Sequence, residues 1–130
     1  MAPLDELIAQ ARNVARRAHA PYSRFRVGAA VRDADGRTFV GCNVESASYG
    51  LTICAERNAI FGAIAAGATT PLTALALTCL DNTIDGGCMP CGACRQIISE
   101  HLAADAPIVV DGRGEFTAAE LLPYAFTLTP

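Results

Sequence analysis

The sequence predicts a three-layer α/β fold, in which a mixed five-stranded sheet lies between helices on both faces. Helical and extended patterns alternate in the order αββαβαββα, and the first two strands are expected to form an antiparallel hairpin. Segment 72–80 is apolar throughout, as expected of a central strand covered on both faces. The 130 residues are 52% hydrophobic and 18% charged, a composition typical of a globular chain, and we expect one domain over 1–130.

The N-terminal part predicts a helix and then the hairpin. Apolar residues recur at helical spacing over 4–19, and Pro21 ends the pattern. His19 falls at the predicted helix C-terminus, where the helix dipole favours a cation, and we interpret it as a capping or surface residue. Extended segments at 27–31 and 38–44 flank an Asp-Ala-Asp-Gly turn, which is typical of an antiparallel hairpin.

The middle of the chain predicts a loop, a helix and the central strand. Residues 45–52 contain several Ser, Gly and Thr and are predicted to form the loop. Residues 53–66 are apolar and end at Gly67, which is typical of a helix that is buried on most sides and closed by a glycine cap.

The C-terminal part predicts a helix between two further strands. A loop is expected at 81–89, a helix at 91–103 and a short Ile- and Val-rich strand at 107–111. A Gly-Arg-Gly turn then leads into a last short strand at 115–116. The segment Thr-Ala-Ala-Glu at 117–120 has the spacing of a capping box and predicts a short final helix.

Two motifs place three cysteines and one glutamate at predicted helix starts. They are Cys-Ala-Glu at 54–56 and Pro-Cys-Gly-Ala-Cys at 90–94, with the proline at the first helical position. Three thiolates leave one corner of a tetrahedral zinc open, and a catalytic zinc needs that corner for water. We therefore predict that Cys54, Cys91 and Cys94 hold one Zn²⁺, and that Glu56 moves the proton of the water.

The surroundings of these sulfurs are predicted to favour thiolates. Both helices follow strands and begin at one end of the sheet, where unpaired N–H groups and the positive helix ends lower thiol pKa values. Zn²⁺ with three thiolates has a net negative charge, which weakens it as a Lewis acid. Arg57 and Arg95 are each close to a ligand cysteine in sequence, and we expect them to donate hydrogen bonds to sulfur. An ordinary ion pair is the alternative for each arginine.

Other arrangements of the six cysteines stay open at this point. Cys91 and Cys94 have the spacing of a redox pair. Cys88, in the loop before them, is a candidate fourth ligand that would close the site into a structural zinc. Cys42 and Cys79 lie in predicted strands and are interpreted as small buried apolar residues.

Charge and hydropathy argue against two classes of partner. The formal net charge is -3 with 10 Lys and Arg, and no long basic run is present, which argues against nucleic acid. No apolar run reaches the roughly 18 residues of a membrane span. No secretory signal is visible at the N-terminus, so we expect a cytoplasmic chain with reduced thiols. Because of the acidic charge and the tight Gly-Arg-Gly turn, we expect a small-molecule substrate.

Four stretches, 21–29, 41–57, 89–96 and 121–126, closely resemble cytidine deaminases of the short, homotetrameric class. The order Cys-x-Glu and then Pro-Cys-x-x-Cys also follows the zinc-deaminase signature, with Cys in place of the alternative His. The resemblance implies a cytidine deaminase-like fold and hydrolytic deamination of cytidine and deoxycytidine in pyrimidine salvage. It further implies one Zn²⁺ per subunit and a homotetramer with pockets shared between subunits.

The same resemblance implies roles for the substrate pocket. Asn43 and Glu45 would bind the ribose, Phe25 would pack against the base, and the backbone of Ala55 would contact the pyrimidine edge. Tyr49 and Phe126 would complete the pocket across a subunit interface. From the residues alone, Asn43 and Glu45 share one side of a strand end, and a solvent-facing polar pair is the alternative.

The sequence departs from the family pattern at Cys88-Met89, where many relatives carry a small hydroxyl residue, and the loop at 81–87 is unusual. Three other functions are weighed. One is a deaminase of another aminopyrimidine nucleoside, such as blasticidin S. Another is a polynucleotide or tRNA deaminase, whose last two strands are separated by a helix. The third is a non-catalytic binding domain that is stabilised by a structural zinc.

Overall fold

The computed structural model describes residues 3–83 and 88–130. The loop predicted at 81–89 therefore falls partly outside the described residues, at 84–87. The described chain forms its helices and strands in the predicted order, as follows: α1 (Pro3–Ala15), β1 (Val27–Arg32), β2 (Thr38–Cys42), α2 (Ala55–Ala65), β3 (Ala74–Cys79), α3 (Gly92–His101), β4 (Pro107–Val110), β5 (Gly114–Thr117) and α4 (Ala118–Leu121). A short 3₁₀ turn at Tyr49–Leu51 lies within the predicted loop at 45–52.

The strands form one mixed sheet in the order β2-β1-β3-β4-β5. Neighbouring strands pair antiparallel except β3 and β4, which are parallel to each other and are connected in sequence by α3. Strands β4 and β5 are joined by a tight turn at 111–113, so the predicted absence of a separating helix is confirmed. The prediction of a mixed five-stranded α/β sheet is confirmed.

Helices cover both faces of the sheet because alternate residues of β1 and β3 point in opposite directions. Leu75 and Leu77 join the cluster that contains α2 and α3, whereas Ala74 and Ala76 face α1. The expectation that β3 is buried on both sides is confirmed. None of the helices in the described part of the chain is long and apolar enough to cross a membrane.

Several predicted boundaries are corrected at the helix ends. Helix α1 ends at Ala15 rather than at 19, because the next backbone N–H groups bond to carbonyls only three residues back. His19 is exposed, but its backbone pairs with Asn43 and Glu45 at 2.9 and 2.8 Å, so its predicted place at the helix terminus is wrong.

Helix α2 begins two residues later than predicted, and helix α3 begins one residue later. The N-cap of α2 is Cys54 and the N-cap of α3 is Cys91, so Pro90 precedes the cap instead of occupying the first helical position. The predicted capping box of α4 is confirmed, with Thr117 and Glu120 bonding reciprocally.

Close packing of α2 on β2 depends on a glycine. A Cβ built on Gly41 would lie 2.3 Å from the backbone nitrogen of Ala59 in α2. Gly28 plays the same part under α1, since its Cβ would lie 2.1 Å from the carbonyl oxygen of Ala11. Backbone atoms cannot turn aside as a side chain can, so any larger residue moves the helix away from the sheet.

We expect Gly41→Ala to lower the free energy of unfolding by about 1–3 kcal/mol or more, because overpacking against backbone forces a helix shift. Denaturant unfolding followed by circular dichroism measures this change. Gly62→Ala in the same helix is the matched control, because no atom lies within 4 Å of the new Cβ. Equal stability of the two variants would contradict the packing argument.

Candidate metal centre and active site

Two helix starts meet at one end of the sheet. Strands β2 and β3 both run antiparallel to β1, so they point the same way, and α2 and α3 follow their carboxyl ends. The side chains of Cys54 and Cys91 at the two N-caps make no capping hydrogen bond to the backbone N–H groups of their own helices. Both thiols are therefore free to turn towards a common point, where Cys94 joins them from the first turn of α3.

The three sulfur atoms have the spacing of a zinc site. Those of Cys54, Cys91 and Cys94 all lie within 4.8 Å of one another, and the Sγ atoms of Cys54 and Cys91 are 3.9 Å apart. A tetrahedral zinc with Zn–S bonds of about 2.3 Å separates its sulfurs by about 3.8 Å. The arrangement fits the predicted ion without rearrangement of the backbone.

The protonation of these thiols also favours a cation. A hydrogen bond from Cys94 is the main cause that lowers the pKa of Cys54 to about 5, against the effect of burial. The pKa of Cys94 moves the other way, because it donates that bond, is buried, and faces the charges of Glu56 and Cys54. The predicted lowering of all three thiol pKa values by helix ends is therefore wrong for Cys94. A divalent cation among the sulfurs replaces that proton.

Glu56 lies in the first turn of α2 and is 4% exposed. Burial, and secondarily the charge of Cys54, raises the pKa of this carboxyl to about 7. A carboxyl with such a pKa can both hold and release a proton near neutral pH, which is what the predicted proton shuttle requires.

The two arginines near the cysteines have different partners. Arg57 donates from Nη2 to the Sγ of Cys54 at 3.4 Å, as we expected, and this bond is the main cause that raises the pKa of the guanidinium. Arg95 instead donates to the carbonyl oxygens of Pro90 and Leu121, at 2.8 and 3.0 Å. Its predicted bond to sulfur is corrected, because the guanidinium fixes the backbone just before the Cys91 cap and ties α3 to α4.

A cavity of about 380 Å³ opens beside the sulfurs, within the size range of small-ligand pockets. It contains seven residues that the sequence predicted for the site, namely Phe25, Asn43, Glu45, Cys54, Ala55, Glu56 and Cys91. A second pocket shares Ser23, Glu45 and Thr52 with this cavity and is also lined by Tyr49. Metal ligands, the buried acid and the predicted sugar contacts thus share one continuous recess.

Asn43 is placed by the strand opposite it. Its Oδ1 accepts a hydrogen bond from the N–H of Val27 at 2.9 Å, and its Nδ2 donates to the carbonyl of Phe25 at 2.8 Å. The amide carries two N–H donors, of which the Phe25 carbonyl takes one. Asn43 is 8% exposed, so the side chain is held rigidly at the cavity wall.

The two residues predicted to act across an interface are the most exposed of the set. Tyr49 is 78% exposed and contacts the ring of Tyr22 edge-on, and Phe126 is 69% exposed. The carbonyl of Phe126 accepts a hydrogen bond from Gln96 on α3 at 3.1 Å. Phe126 is not among the residues that line the cavity of its own chain.

Cys79 and Cys88 form a disulfide at the cavity wall. This corrects the interpretation of Cys79 as an unbonded apolar residue and the expectation that all thiols are reduced. The bond joins the end of β3 to the segment before α3, a pairing that sequence spacing does not reveal. It also removes Cys88 from the sulfurs available to metal, which leaves a three-cysteine set and disfavours the closed structural site. Cys42 is free, as expected, and half-buried.

Several cavity residues were missed by sequence reasoning. Leu77, Met89 and Val27 give the recess an apolar wall, and Ser23 and Thr52 line its rim. Leu77 shows no signal beyond that of a buried strand residue. Ser23 lies two residues before Phe25 in the stretch 21–29, and this closeness in sequence to a predicted contact was the signal that could have identified it.

Three cysteines and a buried glutamate at two helix starts, on a mixed sheet, define a zinc-dependent deaminase. The family model of the cytidine and deoxycytidylate deaminase zinc-binding region matches residues 1–110. The chain belongs to this family, and the resemblance found in its motifs is confirmed.

Relatives match over nearly the whole chain. A cytidine deaminase of Sporosarcina psychrophila is 40% identical over 128 residues, which are 95% of this chain and 91% of that protein. The crystal structure of cytidine deaminase from Mycobacterium tuberculosis has a TM-score of 0.84 at 40% identity and covers 98% of this chain and 100% of its own. That from Burkholderia pseudomallei has a TM-score of 0.83 at 42% identity, covering 94% and 98%.

The double variant Cys79→Ala/Cys88→Ala is expected to keep one zinc per chain, since neither sulfur belongs to the three-cysteine set. Cys94→Ala should lose the metal, because two thiolates hold zinc far more weakly than three. Metal content of the purified variants, measured by atomic emission, checks both. Loss of zinc from the double variant would show that Cys88 is a ligand.

Proposed function

We propose that this chain catalyses the hydrolytic deamination of cytidine and deoxycytidine to uridine and deoxyuridine, with release of ammonia. The observation that carries the proposal is the cluster of three cysteine sulfurs, two of whose residues line a cavity of about 380 Å³ together with buried Glu56. Three sulfur ligands would leave one position of a tetrahedral zinc for water. The named activity of the curated relatives supports it.

Zinc bound at the three sulfurs supplies a Lewis acid that lowers the pKa of a coordinated water to about 7. The residues of the chain do the rest. A carboxylate oxygen of Glu56 would take one proton from the attacking water and give it to the ring nitrogen of the pyrimidine. It would then take the second proton from the hydroxyl newly bonded to the ring carbon and give it to the amine nitrogen, which leaves as ammonia as the carbonyl forms. Because Glu56 is buried, bulk water does not compete for that proton. Arg57 offsets part of the thiolate charge through its bond to Cys54.

The remaining cavity residues are proposed to hold the nucleoside. Phe25 packs against the base, the Ala55 backbone contacts the pyrimidine edge, and Asn43 and Glu45 bind sugar hydroxyls. All four line the recess, with Glu45 also facing the outer pocket. This order, from Glu56 at the floor to Glu45 at the rim, matches a ligand whose reactive ring enters first.

We propose that the enzyme is a homotetramer in which subunits complete one another's pockets. The support is the surface: large apolar side chains at Tyr49, Leu51, Phe61 and Ile64 are 41% exposed or more, and Phe126 lies away from its own cavity. Exposed apolar side chains that form one contiguous patch mark an interface, and we propose that a neighbouring subunit covers these residues.

We propose one domain over residues 1–130, with a cytoplasmic location and a role in pyrimidine salvage. The family match over 1–110 supports the domain assignment. The Cys79–Cys88 disulfide counts against the location, because disulfides are rare in cytosolic proteins. Cell fractionation tests the location, and trapping of free thiols tests whether the disulfide is present in the cell.

Glu56→Gln should keep its zinc and its melting temperature but lose at least about 100-fold in kcat on cytidine, because an amide cannot carry the proton. The fall in ultraviolet absorbance on conversion of cytidine to uridine measures the rate. Glu115→Gln, which removes an exposed carboxylate on β5, serves as the matched control and should stay fully active. Unchanged turnover by Glu56→Gln would refute the shuttle role.

A mixing experiment tests the shared pocket. Glu56→Gln and Phe126→Ala should each be weakly active alone, whereas chains refolded together at equal ratio should regain about one quarter of wild-type activity by random assortment. The gain arises where the Glu56 of one subunit meets the Phe126 of another. Activity equal to the average of the two separate variants would place Phe126 in its own chain's site or outside any site.

A further inference from the structure

The turn between α1 and β1 holds the carboxylate of Glu45 from one side. The consecutive N–H groups of Tyr22 and Ser23 donate to Oε1 of Glu45 at 3.0 and 3.1 Å. The hydroxyl of Ser23 donates to the other oxygen, Oε2. Arg24 completes the turn in the left-handed region at φ 60°, a conformation that is costly for a residue with a side chain. The chain thus accepts local strain where it binds this carboxylate.

Ser23 also connects Glu45 to the rest of the predicted substrate contacts. The Oγ of Ser23 accepts a hydrogen bond from the N–H of Phe25 at 3.0 Å. The carbonyl of Phe25 in turn accepts from the amide of Asn43 at 2.8 Å. Glu45, Ser23, Phe25 and Asn43 therefore form one hydrogen-bonded chain along the cavity wall, and all four line that cavity. Within this chain, Ser23 is the member that no sequence motif assigned.

The chemistry of the carboxylate leaves room for a ligand. An ionised carboxylate offers about four acceptor sites, and the turn uses three hydrogen bonds. The Ser23 hydroxyl is the main cause that keeps the pKa of Glu45 below its ordinary value, so the group is charged at neutral pH. Charge-assisted bonds of this kind are roughly twice as strong as neutral ones and fix the direction of the remaining lone pair.

We propose that Ser23 is a positioning residue for recognition of the sugar. Its hydroxyl orients Glu45 so that the free lone pair of the carboxylate accepts a hydrogen bond from a sugar hydroxyl of the nucleoside. This inference rests on the proposed deamination of cytidine. Ser23 touches no reacting atom, so it acts through Glu45 on binding and not on the chemical step. Its loss should appear in KM for substrates that carry the hydroxyl, while kcat is kept.

The test compares two substrates of the zinc-loaded enzyme, cytidine and 2′,3′-dideoxycytidine, which lacks both ring hydroxyls. Ser23→Ala is expected to raise KM for cytidine about 10-fold, equivalent to about 1.4 kcal/mol, and to change kcat by less than about twofold. For dideoxycytidine both constants should stay within about twofold of wild type, since no ring hydroxyl meets Glu45. Ser23→Thr keeps the hydroxyl and should restore the KM for cytidine.

A double-mutant cycle separates positioning from a general effect on the fold. In a Glu45→Ala background, Ser23→Ala should have no further effect on the KM for cytidine, because the residue through which it acts is gone. Ser99→Ala is the control, since that hydroxyl donates to the Gln96 carbonyl on α3 at 2.6 Å. It should leave both substrates unaffected.

Each outcome separates this inference from the proposed function. If the unmodified enzyme does not convert cytidine, the proposed function fails and the inference fails with it. If the wild type converts cytidine but Ser23→Ala leaves its KM unchanged, or weakens both substrates equally, Ser23 has no positioning role and the deaminase function still stands.

Discussion

The rest of the site depends on bringing three thiols together at two helix starts. Cys54, Cys91 and Cys94 lie within 4.8 Å of one another, and three thiolates at that distance repel strongly unless a cation lies among them. The sheet topology enforces the meeting. The crossover from β3 through α3 to the parallel strand β4 puts α3 on the same face as α2, where Ile60 and Ile98 share a core. The metal site is thus a product of strand order, and Arg57 offsets part of its negative charge through its bond to Cys54.

Contacts to backbone atoms help to fix this geometry, alongside the packing of α2 and α3 in a shared apolar core. Gly41 lets α2 rest directly on β2, and Asn58 of the same helix donates to the carbonyl of Cys42 at 2.8 Å. Arg95 holds the carbonyl of Pro90, one residue before the Cys91 cap. Each contact joins a residue of α2 or α3 to backbone atoms of a neighbouring segment. A shift of either helix would therefore move a sulfur by the same amount, which a metal site tolerates poorly.

Sequence reasoning succeeded where information is local. Periodicity and caps gave the order of elements and the capping box at Thr117, because each depends on residues within a few positions. The mixed sheet was then predicted from that order of elements. It failed where the partner lies far along the chain. The Cys79–Cys88 bond, the backbone pairing of His19 and the carbonyl partners of Arg95 are tertiary contacts that spacing does not encode. The clustering of three cysteines was accessible from a motif because a zinc site restricts the spacing of its ligands, whereas Ser23 needs only to be near Glu45.

The recess has two parts, which differ in whether their negative charge is compensated by groups of the chain itself. At the floor, clustered sulfurs and a buried acid have excess negative charge and need an external cation. At the rim, the charge of Glu45 is already satisfied by donors of one turn, so that part can form without any ion. The two parts are joined along the backbone, where Val44 pairs with Ile53 just before the Cys54 cap. Because the Glu45 carboxylate is held by donors of one turn, removal of the metal should disturb the sulfur cluster while these hydrogen bonds remain.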